Sequence, residues 1–251
     1  MLNRRLPGLT PVLLLVFLTL IPPITGCGGS GTTTTVILRA PEVPDEWLPD
    51  GYLDGTDKWH IDFDNEALYQ AMDTMGFPPD RADEFKSKTV KYVRKFFYGQ
   101  CISFDLVPPE DGSTPAPGWS DYAVGIGVNP YNTIAVWNGE TTYVIGRAYR
   151  DNEGNARVEN NSGTWMEDGE CKLGVFIDAF AQGIPYEWGF DECAKWVGMI
   201  CAHEIGHSLG LRHINTYGNI MSTYFEMALL NPAFVSEHWN YLLETLPGPG
   251  R

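Results

Sequence analysis

Residues His203 to His213 read HEIGHSLGLRH, and the spacing of the polar side chains in this stretch decides how the rest of the chain is read. His203 and His207 are four residues apart, so on a helix they stack on one face a turn apart and aim two ring nitrogens at one point. Glu204 is rotated by about 100° around the axis, which sets it beside that point rather than on it. Gly210 suits a helix exit, because glycine takes up positive φ at little cost, and the reversed chain then brings in His213. Three imidazoles on one ion leave a fourth tetrahedral position for water, which distinguishes a catalytic zinc from a structural one. In that frame Glu204 stands where a general base is needed. Upstream, Asp191 is expected to cap the helix that carries these ligands, with Glu192 in its first turn.

Downstream, Gly218-Asn219-Ile220-Met221 reads as a turn, with Met221 eight residues beyond His213. With that turn, the stretch resembles the metzincin metallopeptidases, and the interval, together with a glycine five residues after the last histidine, resembles their matrixin branch. The resemblance implies that His203, His207 and His213 bind Zn2+, that Glu204 is the catalytic base, and that Met221 forms an apolar floor beneath the metal without ligating it. It further implies an α+β, zincin-like fold: a twisted, mixed five-stranded sheet with two long helices, an active-site cleft, and a small C-terminal subdomain holding the Met-turn and one helix. Carried over in the same way, Thr142 to Tyr149 is the antiparallel edge strand along the cleft, to which an extended peptide adds through main-chain bonds. The chain departs from the usual matrixin pattern at Ile214, where Ser or Thr is customary, and at Thr223, where Pro is customary. Tyr224 lies one position beyond the metal-facing tyrosine of astacin-like members and is expected to pack.

At 251 residues and 43% hydrophobic, the chain accommodates one sizeable domain plus export apparatus. Its net charge of −15 argues against nucleic acid as a partner. Residues 1–26 read as a signal peptide: Arg4 and Arg5 lead an apolar run, Val12 to Ile21, that is far shorter than the roughly 20 residues of a membrane span. Ile24-Thr25-Gly26-Cys27 resembles a bacterial lipobox, which implies lipidation of Cys27. Gly28 to Thr35 then serves as a flexible tether. The expected divisions are therefore 1–26, a lipidated lead-in 27–56, an upper subdomain 57–213 and a lower subdomain 214–251, in a monomer anchored to the bacterial cell envelope, at the outer membrane or cell surface. Plain secretion is the alternative if Cys27 is incidental.

The remaining cysteines, Cys101, Cys171, Cys193 and Cys201, allow three full pairings. Cys201 falls on a helical stripe with Val197, Ile205 and Leu209 and is expected to be a buried hydrophobe, which leaves one bond among the other three, or none. Asp151, Glu153 and Asn155 form an oxygen-rich stretch in which Ca2+ is conceivable and a solvated turn is preferred. Strands are expected at Trp59–Phe63, Ile102–Val107, Tyr122–Val128, Thr133–Trp137 and Leu173–Phe180, and helices at Asp83–Tyr98 and about Val235–Leu246. His60 and His238 read as ordinary imidazoles. Two functions follow from these features. The leading one is a zinc endopeptidase acting on extracytoplasmic proteins or peptides. The alternative is a non-catalytic, zinc-stabilised surface lipoprotein for binding or adhesion, a role in which Glu204 would have no purpose.

Overall fold

The computed structural model describes residues 43–109, 131–140, 144–151, 164–165, 171–185, 187–224 and 232–248. All lie within a unit spanning Thr35–Arg251, separate from a second unit, Met1–Thr34. Cys27, Glu153, Asn155 and the expected strand Tyr122–Val128 fall outside the described residues.

The centre of the fold is strand β1, Asp57–Phe63, which is buried on both faces over most of its length, as parallel strands sandwiched between layers are. Parallel β2 (Ile102–Asp105) pairs on one side and parallel β3 (Asn132–Trp137) on the other. The short strand β4, Gly146–Arg147, is antiparallel. A two-stranded hairpin, β5 (Thr164–Trp165) with β6 (Cys171–Lys172), stands apart from the main sheet. Strand β7, Gly174–Phe176, extends the main sheet parallel to β3 and gives the order β2-β1-β3-β7-β4, a mixed five-stranded sheet. The antiparallel edge thus falls inside the stretch Thr142–Tyr149, in a much shorter strand.

Five helices complete the described fold. Helix α1, Asn65–Thr74, was not anticipated from periodicity, although its start is written locally: the Asp64 carboxylate accepts the Ala67 N–H at 3.0 Å, an N-cap, and Glu66 lies in the first turn. The long helix α2, Ala82–Phe96, buries Phe85, Val90, Val93 and Phe96. Helix α3, Ile177–Gly183, corrects the expectation of a strand through Phe180. Trp137 is the last residue of β3 and pairs with Phe176, so the chain beyond Phe176 has no strand to pair with. The Asp178 carboxylate accepts the Gly139 N–H at 2.7 Å, which ties the new helix to the end of β3.

The second long helix, α4, spans Phe190–Ser208. Its N-cap is Gly189 rather than Asp191, and no side chain caps it. Asp191 instead sits in the first turn, where its carboxylate takes the Lys88 ammonium at 2.5 Å and the Tyr92 hydroxyl at 2.7 Å, tying α4 to α2. Cys201 is buried on α4, and all four described cysteines are free thiols. The last helix, α5, spans Ser236–Thr245 and buries His238 and Leu242. A parallel bridge between Asn219 and Ala233 joins the segment before α5 to the turn that carries Met221.

The packing of α2 on α4 hinges on Gly198. A Cβ there would lie 2.9 Å from the Thr89 carbonyl oxygen and 3.0 Å from the Tyr92 Cβ. Backbone cannot retreat as a flexible side-chain tip can, so any larger residue pushes the two helices apart. Gly198→Val is expected to lower stability by about 1–3 kcal/mol, the usual range for overpacking, as measured by urea unfolding of the purified protein.

Candidate metal centre

The end of α4 is built to deliver His213. Leu209 caps the helix, Gly210 takes φ +101°, and two bonds close the exit: Leu211 N–H to the Gly206 carbonyl at 2.8 Å, and Gly210 N–H to the His207 carbonyl at 2.9 Å. This pair is a Schellman motif, which favours glycine at the left-handed position. The chain reverses there and carries His213 back to the helix face that holds His203 and His207.

The three Nε2 atoms converge. His207 lies 3.2 Å from His203 and 3.0 Å from His213, and the remaining pair is 3.3 Å apart. His203 Nδ1 lies 2.7 Å from the Ile220 carbonyl and His207 Nδ1 lies 2.9 Å from the Leu211 carbonyl. A carbonyl can only accept, so both Nδ1 atoms carry the proton and both Nε2 atoms carry a lone pair. Two lone pairs facing each other at 3.2 Å cannot hydrogen-bond; they ask for a cation. Nitrogens around 2.0–2.1 Å from a tetrahedral zinc stand roughly 3.3 Å apart, so the triangle has the size of a zinc face. Burial pushes the ring pKa down to about 4 at His203 and about 3 at His207, and downward at His213. All three rings are therefore neutral at physiological pH, as metal ligands must be.

Glu204 is 5% exposed, on α4 beside the triad. Its carboxylate lies against the backbone of Gly146 on β4, so closely that a Cβ at that position would collide with Oε1 and Cδ. Burial raises the Glu204 carboxyl to about 8, with the Arg147 guanidinium pulling the other way. A doubly charged ion in the triad would also favour the ionised form. Gly146 was not singled out in the sequence, yet a glycine inside an expected strand is a signal for close approach.

Met221 is fully buried. Its sulfur packs against α4 at Gly206: a Cβ on Gly206 would fall 2.6 Å from Sδ. The turn that carries it is held by the Ile220 N–H to the Ala233 carbonyl at 3.0 Å and by the Asn219 side chain on the Ile214 carbonyl at 2.6 Å. Tyr224, expected to pack, is instead 58% exposed. It follows the Met-turn directly, and its N–H reaches only as far as the Ser222 hydroxyl. Asp151 is buried rather than part of a solvated turn, and its N–H donates to the His207 carbonyl at 3.1 Å. Among the described residues the three histidines form the one cluster of potential metal ligands, which gives calcium no support. A cavity of about 430 Å³ lies elsewhere, between the lead-in and α2, lined by Asp45, Lys91, Arg94 and Asp105 among others. Lys91 is ion-paired with Asp45, and Arg94 with Asp50.

With this geometry established, comparison with known proteins gives a class and then a family. The α+β fold with its histidine triad is that of a metzincin-like metallopeptidase, and the matrixin family model matches residues 53–234. The chain belongs to the matrixin family. No curated protein matches the sequence. Among solved structures, metalloproteinase-II from Bacteroides fragilis is similar at 14% identity and a TM-score of 0.38, over 78% of this chain and 55% of that one. The chain thus spans little more than half the length of that structure.

The buried position of Met221 generates an expectation of its own. Met221→Leu nearly conserves volume, so it should cost less than about 1.5 kcal/mol and leave zinc bound. Metal analysis and denaturant unfolding of the variant check both parts.

Proposed function

We propose that the chain is a zinc endopeptidase of extracytoplasmic proteins or peptides, with His203, His207 and His213 as the ligands and Glu204 as the general base. The observation that carries this reading is the buried carboxylate of Glu204, next to His203 on α4 and against the backbone of the edge strand β4. A structural zinc site has no use for a base there. Zinc held by the triad supplies Lewis acidity, which brings a proton of water within reach of a carboxylate near neutral pH. Glu204 accepts that proton at its carboxylate as the water oxygen attacks the peptide carbonyl, and returns it to the departing amine nitrogen. The outer edge of β4, free of a further strand among the described residues, offers main-chain groups to an extended substrate. The carbonyls of Ile220 and Leu211 hold the two ligand rings in the required tautomer.

Purified protein incubated with an unstructured protein substrate should cut it, and a chelator should abolish the cutting. Glu204→Gln should keep stoichiometric zinc while activity falls by about 10² to 10⁴-fold, the usual weight of acid–base catalysis. Wild-type turnover in that variant would remove Glu204 as the base, whereas zinc-loaded wild-type protein that cuts nothing would favour the non-catalytic surface lipoprotein.

The export segment supports a location. The lipobox-like Ile24-Thr25-Gly26-Cys27 and the Gly/Ser/Thr tract behind it favour a mature protein that begins at an acylated Cys27 and is tethered to the cell envelope. Each buried methylene contributes about 0.8 kcal/mol to such anchoring. Mass spectrometry of the mature N-terminus should find lipid on Cys27, and Cys27→Ser should release the protein from the membrane fraction; an unmodified cysteine would leave plain secretion.

A further inference from the structure

The edge strand beside the triad is short and lightly held. Strand β4 gives only Gly146 and Arg147 to the ladder with β7, and the Phe176 N–H on the Ile145 carbonyl, at 2.9 Å, secures its entry. Its exit is secured by the ligand helix instead of the sheet. The hydroxyl of Ser208, the last residue of α4, donates to the Tyr149 carbonyl at 3.2 Å. The Asp151 N–H donates to the His207 carbonyl at 3.1 Å. Together these bonds stitch the chain leaving β4 to the final turn of α4.

Of the two, the Ser208 bond is the one that a side chain supplies. Ser208 is buried. A serine in a helix commonly bonds within its own helix, whereas this hydroxyl reaches a separate segment of chain. The rings of the triad do not depend on it, since His203 and His207 are oriented through Nδ1 by the carbonyls of Ile220 and Leu211. What the bond fixes is the end of the strand. Gly146, whose backbone lies against Glu204, is separated from Tyr149 by roughly 10 Å of extended chain. The bond therefore acts on backbone that a long substrate reaches and a short one does not.

We propose that Ser208 is a positioning residue for extended substrates: by holding the Tyr149 carbonyl to α4, it sets β4 in place before a peptide pairs with it, and so favours polypeptides long enough to run the length of the edge. This rests on the reading of the chain as a peptidase whose substrates add to β4. Without the hydroxyl, the strand end has to be ordered by the substrate, and long chains bind more weakly by up to the worth of the lost bond. Short peptides, which stop before the strand end, lose nothing.

The test compares the wild type with Ser208→Ala, which lacks the hydroxyl, and Ser208→Thr, which retains one. Two fluorogenic peptides are taken from a site that the wild type cuts in an unstructured protein. The short one extends about two residues to each side of the cut and the long one about five, against the roughly three residues from Gly146 to Tyr149. In Ser208→Ala, KM for the long peptide should rise about three- to tenfold, the weight of one hydrogen bond. Its kcat should not change, the pattern of binding lost equally from ground and transition states. The short peptide and the zinc affinity should keep wild-type values, and Ser208→Thr should follow the wild type on both peptides. Amide exchange across residues 145–151 of the substrate-free, zinc-loaded protein should speed up in Ser208→Ala. A general structural role would impair both peptides alike or weaken zinc binding, and either result overturns the proposal. So does an unchanged KM for the long peptide, or unchanged exchange, in Ser208→Ala, and so does a folded Ser208→Thr that behaves as Ser208→Ala does. Zinc-loaded wild-type protein that cuts no unstructured protein overturns the peptidase reading itself, which separates that failure from this one.

Discussion

The site depends on the bond between the His203 ring and the Ile220 carbonyl, 2.7 Å long. It crosses between two pieces of chain that share no secondary structure, the long helix α4 and the turn that ends in Met221. From the side of the ring, it sets the tautomer and leaves Nε2 free to face the ion. From the side of the turn, it holds Ile220 against the helix and so presses the Met221 sulfur under Gly206. One hydrogen bond thus couples the turn that carries Met221 to the first histidine of the triad. Removing the ring loosens the turn, and displacing the turn frees the ring to rotate.

The helix that carries this bond also belongs to the core. Val197, Cys201 and Ile205 are buried on α4, and Leu209 at its cap, while His203 and His207 lie on its other side. These histidines cannot move without moving part of the core with them. The rigidity needed for a pre-shaped metal site is thereby drawn from packing, which is dense and resists displacement, rather than from polar contacts alone. Around this helix the charge differs from that of the chain as a whole. The net charge is −15, yet the guanidinium of Arg147 acts on Glu204, and that of Arg150 on His207 and His213. Positive charge close to the Glu204 carboxyl favours its ionised form against the penalty of burial.

The convergence of the three histidines was legible in the sequence because its geometry is local. A step of four residues from His203 to His207 on a helix, and a glycine that turns the chain, place all three within eleven positions. The Schellman exit at Gly210 follows from the same stretch. The fold was legible where periodicity or motif speaks: α2, α4, β1, β3 and the final helix all fall near their expected ranges. The failures share a cause. The apolar run from Leu173 reads equally well as strand or helix, and what decides it is the length of β3, which is tens of residues away in sequence. The cap of α4 went to Gly189 because Asp191 was claimed by Lys88 and Tyr92 of another helix. Burial of Asp151 and His238 likewise depends on which distant element covers them. Helix α1 is different, since the Asp64 cap was present locally and went unread.

Gly146 brings the backbone of β4 against the Glu204 carboxylate with no side chain between them. Consider any extended chain that pairs along this edge. Its position relative to Glu204 is then measured in peptide units, because backbone meets backbone on one side and backbone meets carboxylate on the other. Side chains take no part in that measurement. In the proposed reading the edge would work as a ruler that reads distance along a polypeptide but not its composition, and discrimination among sequences would fall to whatever surfaces receive the side chains on either side.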